Sequence, residues 1–142
     1  MAAPARRPQG RWVLVVRLLW VAGFLVGTTT HVLDLTAGGT GVYAGFPPAV
    51  RAFWVSLTLL DPLVVLLLVL RRRAAVPLGV AVMVADVAVN ATVAARVDGL
   101  APWGLVNQSL FCVLVLATAR VLWRADEPGA RGQDRRAVGG PA

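Results

Sequence analysis

Two aspartates interrupt stretches that are otherwise apolar. Asp61 stands in VRAFWVSLTLLDPLVVLLLVL, residues 50–70, and Asp86 in VAVMVADVAVN, residues 80–90. An ionised carboxyl at the centre of a bilayer costs about 2.5–3.5 kcal/mol on insertion scales, and such groups usually serve a ligand, an ion or a proton. No arginine lies at the depth of either aspartate. Each must therefore be protonated, hydrogen-bonded to Asn90, His31 or Gln108, or turned toward a bound cation. Two neighbouring carboxyls favour sharing one proton. Asn90 follows Asp86 by four residues and shares its helix face; His31 and Asp34, three apart, can also share one. Ser56, five before Asp61, is a looser match. Pro62 cannot donate to the Thr58 carbonyl, which frees an acceptor and favours a kink.

The competing reading of each group is structural. Asp86 with Asn90 could only fix helix packing, although intramembrane hydrogen bonds average about 0.6 kcal/mol, a weak motive for a costly residue. Asp61-Pro62 could only shape a kink. His31 could be an interfacial hydrogen-bonding residue, and Asp34 could simply end a helix in water. Asn107 and Gln108 could be half-solvated at an interface, and Cys112 reads as a small buried or lipid-facing residue.

The elements that must position these groups are four long apolar runs, at about 12–33, 50–70, 74–95 and 103–123. Runs of about 18 or more apolar residues read as transmembrane helices, and the alternation of a membrane β-strand is absent. TAGGTGVYAGFPP, residues 36–48, reads as a loop. RRRAAVP, residues 71–77, reads as a tight turn with Pro77 in the first turn of the third helix, and RVDGLAP, residues 96–102, as a short loop. Residues 1–10 and 125–142 read as disordered, leaving a membrane domain over 11–124. A signal peptide is the rival reading of the first run. Arg17 interrupts that run and GTTTHVLDL offers no small-x-small cleavage site, so the helix is expected to remain in the mature protein.

Composition agrees. Of 142 residues, 58% are hydrophobic and 15% charged, and mean hydropathy is +0.72. A soluble domain is closer to half apolar and a quarter charged. All fourteen basic residues are arginine, and net charge is +7. The arginines cluster beside apolar runs and not on a basic face with interleaved aromatics, which argues against nucleic acid. One cysteine excludes an internal disulfide, and one histidine excludes a multi-histidine metal site. No nucleophile–base pair, metal cluster or phosphate-binding loop is present, so neither a cofactor nor an enzymatic activity is expected. An isomerase using His31 and a carboxylate is the one enzymatic scheme that the residues would permit.

Charge sets topology. Twelve of the fourteen arginines fall on one side: Arg6, Arg7, Arg11 and Arg17, then Arg71–Arg73, then Arg120, Arg124, Arg131, Arg135 and Arg136. Only Arg51 and Arg96 fall on the other. The positive-inside rule makes both termini cytoplasmic, in a multi-pass protein of a cell membrane. Trp12, Trp103 and Trp123 sit where interface anchors sit, and Arg17 and Arg120 are expected to snorkel to the cytoplasmic surface. Arg71–Arg73 read as a topology signal, with anionic-lipid contact second. Gly23 with Gly27, and Ala81 with Ala85, permit close helix approach. His31, Asp34, Asp61, Asp86, Asn90 and Gln108 then fall in the outer half of the four helices, which suggests one polar pocket opening outward. The inner half of the second helix, LVVLLLVL, offers no polar group.

HVLDL, FPPAVRAFWVSLTLLDPL and VMVADVAVN resemble a group of small four-helix membrane proteins of actinobacteria, over about the first three helices. More distantly, Asp34 after the first helix and the PPAVRAF entry to the second are similar to the emopamil-binding and sigma-2-receptor superfamily. That resemblance implies a four-helix module whose acidic residues line a pocket for sterol-like or amine ligands. The superfamily's further acidic residues have not been placed in this chain.

The expectation is an all-α, four-helix transmembrane bundle that binds a small apolar or amine ligand, or a lipid, through Asp61, Asp86 and Asn90, with His31, Asp34 and Gln108 nearby. The alternatives are an accessory subunit, with a membrane-protein partner or a second copy, and a component of proton- or ion-coupled transport.

Overall fold

The computed structural model describes residues 8–96 and 102–127. The segments 1–7 and 128–142, and most of the loop read at 96–102, lie outside the described residues. Within them the chain is helical: α1 (Pro8–Gly38), a 3-10 turn (Gly39–Gly41), α2 (Pro48–Val69), α3 (Ala75–Ala94) and α4 (Pro102–Ala125). All four α-helices are long and apolar enough to cross a membrane. At about 1.5 Å per residue, even the 20 residues of α3 match a hydrocarbon core of about 30 Å. The protein is thus a multi-pass four-helix bundle. α1 takes in residues 8–10 and continues through Gly38.

The boundaries have local causes. Pro48 occupies the first position of α2, where its missing N–H costs nothing. At the other end of α2, Arg71 takes a left-handed conformation with φ of 52°. Its N–H bonds the Leu68 carbonyl at 3.1 Å, and the Arg72 N–H reaches the Leu67 carbonyl at 2.9 Å. This is the Schellman arrangement, with an arginine where glycine is usual. It ends α2 and lets α3 start four residues later.

α1 packs chiefly on α2 and α3 on α4, while the α2–α3 and α1–α4 contacts close the bundle. Each helix contributes one inward seam spaced by threes and fours. In α2 it is Trp54, Leu57, Asp61, Val64 and Leu68, all buried. In α1 Val16, Trp20 and Phe24 are buried, and the seam runs on through the half-buried Gly27, His31 and Asp34. Lipid-facing positions are as apolar as the core: Leu59, Val26 and Trp103 are among the exposed residues.

The two ends of the bundle differ. At the Arg-rich end, Val16, Val64, Leu68, Ala75, Val115 and Leu122 are fully buried and form an apolar layer within one core cluster. Trp20 adjoins it, its indole N–H donating to Thr118 Oγ1 at 2.8 Å. Arg17, next to Val16 at this end, does not snorkel to water. It is buried, and its guanidinium forks onto Asp126 at 2.8 and 3.1 Å while also donating to the Leu68 carbonyl at 2.9 Å. One side chain thereby joins α1, the end of α2 and the residue after α4. Arg73 forms an exposed second tie, with Glu127 at 2.9 Å and the Trp123 ring 4.0 Å away. Arg120 is exposed, as a snorkelling residue would be.

Candidate functional site

The seams bring Asp61 and Asp86 to the same level in the bundle interior. Asp61 is 5% and Asp86 6% exposed, and the two carboxyls interact electrostatically. Asp86 is fixed by its own helix: the Asn90 side-chain amide donates to Asp86 Oδ1 at 2.7 Å and to the Asp86 carbonyl at 2.9 Å. Asp61 accepts no hydrogen bond among the described residues. Its carboxyl rests on α1 at Gly27, where a Cβ atom would collide with Oδ2. Gly27 is therefore the gap in α1 that admits the Asp61 side chain. Cys112, buried on the facing seam of α4, lies within electrostatic reach of Asp86.

The other polar residues occupy the seams toward the end opposite the arginines. His31 is half-buried, and its Nδ1 is buried with no hydrogen-bond partner. Asp34, one turn further on, does not end α1 in water: it is half-buried and accepts the Tyr43 hydroxyl at 3.0 Å. Gln108 is half-buried on the α4 seam and makes no hydrogen bond to Asp86 or Asn90. Asn107 is exposed, and the Ser56 hydroxyl is used on its own helix, donating to the Phe53 carbonyl at 2.6 Å. The geometry thus brings Asp61, Asp86 and Asn90 together. It sets His31, Asp34 and Gln108 further toward the end opposite the arginines, without direct bonds to that centre.

Two groups escape a reading by polar spacing alone. Tyr43 caps Asp34 and packs on Trp54, with ring centroids 5.0 Å apart, beside Phe46 at 4.8 Å from the same ring. Gly79 admits the Trp20 ring, as Gly23 admits Phe111. A count of the seam positions would find Gly79, whereas Tyr43 lies in a loop where no period points to it.

Burial, together with the bond and charge of Asp34, pushes the Tyr43 hydroxyl up to about 12. It is the one tyrosine in the chain, so an ultraviolet titration reads it directly. We expect an ionisation midpoint near 12 in the folded protein, moving toward the ordinary value of about 10 in Asp34→Asn. Because the folded value is raised, the stabilisation linked to it is complete below about pH 10 and is lost as pH rises toward 12. A wild-type midpoint at the ordinary value would show that the Tyr43–Asp34 bond does not form.

A groove of about 420 Å³ lies away from the carboxyl pair, between Val42, Tyr43 and the first turns of α2. Among the described residues no group of three or more histidine, cysteine or acidic side chains is placed to hold a metal. Fold and site define a class, a membrane-embedded four-helix bundle with a carboxyl pair in its interior. No protein-family model, curated protein or solved structure matches the chain.

Proposed function

We propose that this protein is a membrane-embedded binding module. Its ligand is a small, largely apolar molecule carrying an amine, held by Asp61 and Asp86 with Asn90 fixing the second carboxyl. One contrast carries the reading. Three aspartates are buried among the described residues, and Asp126 is held by Arg17. Asp61 and Asp86 are buried within electrostatic reach of each other, and neither has a basic partner among the described residues. A buried anion needs a countercharge or a proton, and a pair needs it more. An amine seated between the two would supply both charge and hydrogen-bond donors.

The surroundings favour entry from the end that the positive-inside rule places outside the cell. The apolar layer across the Arg-rich half disfavours the other direction, whereas His31, Asp34 and Gln108 fall on the outer side. The unpartnered His31 Nδ1 is available to a ligand on that route. The same layer argues against a proton or ion path running right through one copy of the chain.

Native mass spectrometry of the purified protein tests this. We expect wild type to release a small molecule that is absent from an equally stable Asp86→Asn variant. An empty wild type beside a folded variant would leave Asp86 as a packing residue and favour an accessory role in a membrane complex.

A further inference from the structure

We propose a second, separate site: the groove at the head of α2 holds a phospholipid of the surrounding bilayer, with the lipid phosphate on Arg51. The groove has a volume of about 420 Å³ and is lined by Val42, Tyr43, Pro48, Arg51, Ala52 and Val55. That falls in the range of about 300–1,000 Å³ typical of small-ligand sites. Its walls are apolar apart from Arg51 and the Tyr43 hydroxyl, and that hydroxyl is committed to Asp34. Arg51 is half-buried, its backbone N–H bonds the Pro47 carbonyl at 3.1 Å, and its side chain makes no ion pair or hydrogen bond among the described residues. This sets it apart from Arg17 and Arg73, each of which has a carboxylate.

Position and shape select the occupant. Arg51 sits in the first turn of a membrane-spanning helix, at headgroup depth. A guanidinium there matches a phosphate through paired N–H donors. Below it, Ala52, Val55, Leu59, Leu63 and Leu66 form an exposed apolar track down α2. The track continues the groove toward the bilayer centre, where an acyl chain would lie. A free phosphate would use the arginine and leave the groove and track empty. A phospholipid uses all three.

The test is native mass spectrometry with phosphatidylglycerol added to the detergent-solubilised protein. We expect one tightly retained lipid on wild type. Arg51→Gln should lower retention about fivefold, the size of one arginine's contribution at a charged lipid surface. Arg51→Lys should keep most of it, and Val55→Trp, which fills the groove and leaves the charge, should also lower it. Arg96→Gln removes an exposed arginine at the same end of the bundle and should change nothing. Equal retention by wild type and Arg51→Gln would overturn the proposal. So would an equal loss in Arg96→Gln, or displacement of the lipid by inorganic phosphate at matched concentration. None of these outcomes bears on a small molecule lost from Asp86→Asn.

Discussion

Arg17→Leu should destabilise the bundle by about 3–5 kcal/mol, the usual result of removing one partner from a buried ion pair. The size follows from what is left behind. Asp126 is 3% exposed and both its oxygens accept from the guanidinium. Without Arg17 its charge would stay desolvated, or the end of α4 would have to peel away to reach water. The Leu68 carbonyl would lose a donor as well. Arg17→Leu combined with Asp126→Leu should recover most of the loss, since an apolar pair of similar volume often replaces a buried ion pair at little cost. The exposed Arg73–Glu127 pair gives the contrast: Glu127→Gln should change stability by no more than about 1 kcal/mol. Denaturant titrations in detergent, followed by tryptophan fluorescence, would measure all four proteins. If Arg17→Leu costs no more than Glu127→Gln, the Arg17–Asp126 fork does not hold the bundle together.

That fork also shows where the sequence stops being legible. The four helices can be read from length and hydropathy because the bilayer demands long apolar runs. The same demand hides which face points inward. Lipid favours leucine and valine as strongly as a protein core does, so the apolar pattern around each helix is nearly uniform. Leu59 and Leu57 are equally apolar, yet one is exposed and the other buried. Polar residues are the better markers of the inward face. Asp61 and Asp86 mark the inward face, and both are buried, because a carboxyl in the bilayer avoids lipid. Arg17 and Asp126 were readable by the same logic only if paired. Taken alone, Arg17 reads as a snorkelling residue and Asp126 as the start of a polar tail. A count by threes and fours along α4, through Cys112, Val115, Ala119 and Leu122, lands on Asp126 and would have placed it on the buried seam.

Gly27→Ala should destabilise the protein by about 1–3 kcal/mol, the usual cost of forcing an added group into filled space. An ordinary glycine inside a helix behaves in the opposite way. Alanine is favoured over glycine there by about 1 kcal/mol, so most such replacements help. The sign therefore reports on the site. A Cβ atom on Gly27 would meet Asp61 Oδ2, and because Asp61 is buried, at 5% exposed, its carboxyl has no solvent to swing into. Gly104 supplies the internal control: it is helical, and a Cβ added there meets open space, so Gly104→Ala should leave stability unchanged or raise it. The coupling can be isolated by repeating Gly27→Ala in an Asp61→Ala background. With the obstructing oxygen gone, the substitution should become neutral or stabilising. Should Gly27→Ala stabilise wild type as Gly104→Ala does, the Asp61 carboxyl does not rest on α1. The two aspartates would then have room to separate, and a site built on their closeness would lose its basis.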